Sequence, residues 1–274
     1  MQVRTGVGAA CALAIGGAAN AGLIGVNFST GTLYAFDPDA GSIAAIGETG
    51  RTITGLEVGP AGALYGMTDG LAGRLVTIDP ETAGVTDVGP LGAGFSFEGA
   101  LAIDAAGRAV GATKLAGGGR ALFSVDLTTG ATATLTGLSR SSIDINGMVF
   151  RDDGALVGID SVRNEFVSID LATGAVTTIS ALQSPGIGAV GGLALHRGMG
   201  YYATAGAVSG SDGDNALYSI DLYTGEQAFV MSLGSEAGAG FGIGALASTT
   251  PVPAPSAALP LALGAGGALR RRRR

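Results

Sequence analysis

Along most of the chain, apolar residues recur at every second position in short runs that are broken by glycine-containing turns, a period that predicts strands. Outside the two ends no segment carries a convincing 3.6-residue apolar period, so helices are few. One phrase returns five times: LYAFDPDAG from Leu33, LVTIDPETAG from Leu75, LFSVDLTTG from Leu122, FVSIDLATG from Phe166 and LYSIDLYTG from Leu217. Each predicts a hairpin: alternating apolar residues lead to an aspartate whose carboxylate can cap the turn, and glycine supplies the positive φ before the return strand. The aspartates are 37, 79, 126, 170 and 221, and (221 − 37)/4 gives a mean spacing of 46 residues. That spacing suits a four-stranded propeller blade.

A second phrase falls between the hairpins, beginning at Gly55, Gly99, Gly147 and Gly192, and reads as strand, tight turn and strand. Two hairpins make four antiparallel strands. The N-terminal unit lacks its first strand, and GIGALAS from Gly242 can supply it, closing a ring and removing an exposed sheet edge. The expected fold is therefore an all-β propeller of five four-stranded blades, with six as the alternative, occupying residues 22–249.

Composition narrows the function. The 47% hydrophobic content, 14% charged residues and 50 glycines fit many short strands and tight turns rather than a disordered chain. Arg4 and Arg270 to Arg274 lie in the terminal segments; without them 15 − 6 leaves 9 basic against 22 acidic residues, a net −13. Such a surface repels nucleic acid, which excludes that class of partner. Cys11 is the only cysteine and lies near the N-terminus, so the rest of the chain has no disulfide, zinc thiolate or cysteine nucleophile.

Residues 1–21 carry Arg4, an apolar stretch from Val7 to Ala18 and the small-residue sequence Ala19-Asn20-Ala21, the pattern of a cleavable helical signal peptide read by signal peptidase. A lipidated Cys11 is the alternative, and Gly8, standing where a lipidation motif wants leucine, weighs against it. In residues 250–274 the prolines 251, 253 and 255 hold off a helix until Ser256, and the apolar stretch runs 14 residues to Leu269. At 1.5 Å per residue it spans about 21 Å, short of a hydrocarbon core near 30 Å, so it predicts a marginal, transient membrane anchor. The five closing arginines keep that end cytoplasmic by the positive-inside rule and leave the preceding domain outside.

The order of proline motif, short apolar helix and arginine cluster resembles the PEP-CTERM class of sorting tails of Gram-negative bacteria. The resemblance rests on Val252-Pro253-Ala254-Pro255-Ser256, with Ala254 where the commonest motif has glutamate. It implies recognition and cleavage by an exosortase-type membrane transpeptidase, after tethering at the inner membrane and before release to the cell surface or beyond. The DxxTG hairpins resemble the repeats of secreted and surface-layer propellers of the YVTN or NHL-like kind. Together these imply a noncatalytic structural or binding module of the envelope or exopolysaccharide matrix, with extracellular polysaccharide or envelope proteins as partners.

Chemistry has few places to be. In a propeller, loops entering the innermost strands and loops leaving the second strands open on one face. Aligning the repeats on their glycines puts Thr54, Glu98, Asn146 and Gly191 before the first, and Asn27, Asp69, Lys114, Asp160 and Ala205 after the second. Glu98, Asn146, Asp160, Asp69 and Asn27 are thus candidates to converge at a channel mouth, where oxygen ligands from separate blades suit Ca²⁺, with Glu98, Asn146 and Asp160 as the core set. Calcium-dependent lactonase propellers use a similar set, so a hydrolase is the alternative function. The loop from Ser209 to Asn215 concentrates Asp212, Asp214 and Asn215 but lacks the closing glutamate of a calcium loop. His196 stands alone of its kind and reads as a turn residue on the opposite face. With no tryptophan and 5% aromatics, a sugar-stacking platform is not expected, and no catalytic residue is assigned.

Overall fold

The computed structural model describes residues 22–250 apart from 71, 93–94, 116–118, 184–189, 205–214 and 238–241. The apolar alternation becomes twenty strands. The chain opens with β1 (Leu23–Asn27), β2 (Thr32–Asp37) and β3 (Ser42–Glu48). Four complete sheets follow: β4 (Ile53–Val58), β5 (Leu64–Thr68), β6 (Arg74–Ile78) and β7 (Val85–Pro90); β8 (Phe95–Ile103), β9 (Ala109–Leu115), β10 (Arg120–Val125) and β11 (Thr132–Gly137); β12 (Ile145–Phe150), β13 (Leu156–Asp160), β14 (Glu165–Ile169) and β15 (Val176–Ala181); β16 (Val190–His196), β17 (Met199–Thr204), β18 (Ala216–Ile220) and β19 (Gln227–Ser232). After one helical turn, α1 (Gly234–Ala237), the last strand β20 (Ile243–Ser248) joins the first sheet in the order β20-β1-β2-β3.

The result is a propeller of five antiparallel four-stranded blades, and the choice between five and six is decided for five. We number the blades 1 to 5, blade 1 being the composite of both chain ends. Its seam is an antiparallel pairing in which Leu23 faces Ser248 and Val26 faces Ala245. The innermost strands β4, β8, β12, β16 and β20 touch in ring order around the axis.

The core lies between blades, one apolar cluster at each of the five junctions: Leu56 and Val58 pack on Ala245 and Ala247, for example, while Leu101 and Ile103 pack on Met67 and Leu75. Because alternate residues of an inner strand serve the two neighbouring junctions, both faces of β4 are buried along its whole length. The outermost strands differ. In β11 and β15 the threonine-rich sequences TATLTG and VTTISA are mostly exposed, which covers the sheet edges with polar side chains.

The repeated aspartates do what the turn reading expects. Asp126 Oδ1 accepts from the N–H groups of Thr128 and Thr129 at 2.8 and 3.0 Å, and Asp37, Asp79, Asp170 and Asp221 accept in the same way. One detail departs from the sequence. In DPETAG the residue bonded back to Asp79 is Ala83, not Gly84, and Ala83 takes the positive φ of 61° that glycine takes in the other turns. Its methyl is buried in the cluster between blades 1 and 2, and that burial offsets the strain.

Candidate functional site

The inner strands begin, and the second strands end, on one side of the ring, the mouth face; the aspartate turns occupy the other, the turn face. Every inner strand carries a β-bulge near the mouth. In blades 2 and 4 one residue is skipped, Thr54 and Asn146; in blade 5 it is Gly192 and in blade 1 Gly244. Blade 3 skips two, since Ser96 pairs with Lys114 and Gly99 already pairs with Thr113. Bulges re-aim side chains and terminate pairing. Beside them the backbones of neighbouring inner strands approach closely.

Below the bulges lie two rings. Gly55, Ala100, Gly147, Gly192 and Ala245 form a ring of small residues, and Leu56, Leu101, Met148, Leu193 and Leu246 form an apolar ring, with Thr54 and Asn146 at the entrance. A Cβ on Gly147 would lie 2.4 Å from the backbone nitrogen of Leu193, and one on Gly192 would lie 2.5 Å from that of Leu246. The hollow that remains has room on the order of a single water molecule. The channel is closed by its own walls.

The second strands end in a ring of polar residues, Asn27, Thr68, Thr113, Asp160 and Thr204, superimposed by their pairing with the inner strands opposite Ile243, Ile53, Gly99, Ile145 and Val190. Of the residues proposed from the glycine alignment, Asn27 and Asp160 lie in it. Asp69 lies one position beyond Thr68, Lys114 one beyond Thr113, and Ala205, outside the described residues, one beyond Thr204. The repeat glycines do not stand at equivalent inner-strand positions, so an alignment on them does not mark this ring; strand pairing does.

The ring's polar groups are occupied by the fold. Asn27 is fully buried; its amide donates to the Ala237 carbonyl at 2.8 Å and its Oδ1 accepts from Ser29 and Thr30. Thr68 Oγ1 accepts from the Arg74 N–H. Asp160, also fully buried, accepts from the Val162 and Asp144 N–H groups and from Arg163 Nη1 at 3.2 Å, with Arg140 Nη1 at 3.7 Å. Arg140 also holds Glu165, and Arg120 holds Asp144 at 2.8 Å. Thr178 foremost, then Arg140, keeps the Glu165 carboxyl below the usual range. Three arginines thus balance three carboxylates at the mouth between blades 3 and 4.

Asp160, the central member of the calcium reading, faces the guanidinium groups of Arg163 and Arg140. Asp69 spends Oδ1 on the Gly70 N–H. Glu98 lies within the two-residue bulge of β8, and its side chain is outside the described residues, as are Asp212 and Asp214. Among the described residues no three of His, Cys, Asp and Glu are grouped to hold a metal ion.

Two polar groups belong to no mouth site. His196 ends β16 on the turn face, buried, with Nδ1 3.2 Å from Ser248 Oγ, and so stitches blade 5 to the closing strand of blade 1. Burial first, and Arg197 second, lowers its pKa. Glu57 on β4 is 2% exposed; its Oε1 accepts from the Val58 N–H and its Oε2 has no partner. Desolvation pushes its pKa up to about 8.

The fold defines a five-bladed propeller whose axis, among the described residues, narrows to a water-sized hollow. Within that class, the chain belongs to the family of the repeat of unknown function DUF6923, whose profile matches residues 62–211. No curated protein matches the chain by sequence. Solved structures agree on fold: a candidate gluconolactonase at 16% identity and TM-score 0.53 covers 80% of this chain and 76% of its own. A chain of the nidogen/laminin complex, at 11% identity and TM-score 0.52, covers 84% and 99%. TolB from Acinetobacter baumannii, at 15% identity and TM-score 0.47, is matched over 77% of this chain, which spans about half (52%) of that one.

Proposed function

We propose that the protein is an exported, noncatalytic propeller that serves as a structural or binding module of the bacterial envelope or its polysaccharide matrix, held briefly at the inner membrane by residues 250–274 and released by an exosortase-type transpeptidase. The observation that carries this reading is where the fold ends. All five sheets are complete between Leu23 and Ser248, so the segment before Gly22 and the Val252–Ser256 motif with its apolar stretch and arginines are free to act as addresses. The closed axis and the mouth residues spent on turns and ion pairs favour a scaffold over a hydrolase. Among the described residues no helix is long and apolar enough to cross a membrane, so anchoring falls to the tail.

Expression in a Gram-negative host that has an exosortase, followed by fractionation and mass spectrometry of both termini, tests it. The expected product begins at Gly22, ends within or near Val252–Ser256, and leaves the membrane fraction. A full-length chain in the cytoplasm would sink the proposal.

A further inference from the structure

The seam of blade 1 fixes more than closure. In β1 and β20 the ends nearest the termini, Leu23 and Ser248, are directly paired, and the Thr249 N–H donates to the Gly22 carbonyl at 3.1 Å. Both chain ends therefore leave the ring at one point, and that point lies on the turn face, beside His196 and the aspartate turns. We infer that in the tethered protein the turn face confronts the bilayer and the mouth face is turned away from it. This rests on the tail reading proposed above.

Two features of the chain support it. The tether is short: Pro251 to Pro255 span at most about 17 Å when fully extended, less than the width of the domain they hold, so the ring cannot turn over. Charge then sets how the face sits. The turns at 37–41, 59–63, 79–84, 104–108, 126–131, 151–155, 170–175, 197–198 and 221–226 contain 11 acidic and 3 basic residues, and 3 − 11 = −8. A face of that sign is repelled by anionic phospholipid and hovers instead of adsorbing, which leaves the proline motif accessible to a processing enzyme.

The test uses the full chain, in a host without an exosortase, as two single-cysteine proteins carrying Cys11→Ser: Ala172→Cys on the turn face and Ser141→Cys at the mouth, both exposed positions. Each is labelled in right-side-out membrane vesicles with a maleimide on a polymer too bulky for the gap, and again after detergent release. The expected result is labelling at Ala172→Cys slowed at least tenfold in vesicles and restored by detergent, with Ser141→Cys reacting alike in both. Membrane-bound protein in which the two sites react equally, or in which the mouth site is the slow one, overturns the orientation alone. Recovery of the tail-bearing chain in the soluble fraction overturns the tail reading and the orientation with it.

Discussion

Glu57 shows how a single residue escapes a sequence pattern. In Leu56-Glu57-Val58 the alternation reads as a strand with one wet face, but both faces of β4 are buried, and the equivalent residues in the other blades are Ala102, Val149, Ala194 and Ala247. The carboxyl stays protonated in the fold up to about pH 8, while the unfolded chain ionises near 4.5. Its contribution to stability is therefore full below about pH 4.5 and is lost as pH rises toward 8. Glu57→Gln should remove that slope and stabilise the protein by about 3 kcal/mol at pH 7, as measured by denaturant unfolding from pH 5 to 9. An unchanged slope would mean that Glu57 is not the titrating group. The turn aspartates act with the opposite sign. Backbone N–H groups hold Asp79, Asp126, Asp170 and Asp221 below the ordinary carboxylate range, so their contribution is present above that range and is lost as pH falls through their lowered values.

At the scale of elements, the hairpins were legible because their signals are local: alternation, an aspartate cap and a turn glycine lie within ten residues of one another. The inner strands were legible as strands but not in register. Aligning Gly55 with Gly99 misplaces blade 3 by one residue, because its bulge is two residues wide and Gly55 is matched by Ala100. In blade 2, where Gly55 is in register, the polar end of the second strand is Thr68 and not Asp69, one residue beyond it. Gly55 and Gly147 are kept by close approach, whereas Gly192 in β16 combines close approach with a positive φ of 65°. Gly147→Ala should cost about 2 to 3 kcal/mol in a thermal or urea melt, since its methyl meets the β16 backbone and neither strand can yield. Gly84→Ala, whose nearest neighbour is the hydroxyl of Thr82, should change stability by no more than about 0.5 kcal/mol.

The whole molecule depends on a seam between residues more than two hundred positions apart. A chain ending before Ile243 loses β20, which leaves the inner edge of β1 without a partner, β2 still pairing its outer edge, and uncovers the inner faces of β4 and β16. It should aggregate or melt without a cooperative transition, whereas a chain ending at Thr250 should melt as the full-length protein does; gel filtration with calorimetry distinguishes the two. The missing first strand of the N-terminal unit had already pointed to this seam, because counting strands needs no coordinates. What the sequence determined by itself was whatever short-range chemistry writes into neighbouring residues: the strands, the turns and the blade repeat. What only the tertiary structure decided was everything that depends on which strand faces which: the closed channel, the arginines that occupy Asp160, the buried carboxyl of Glu57 and the single exit point of both termini. Those contacts join residues from different blades through loops of unequal length, and no spacing along the chain encodes them.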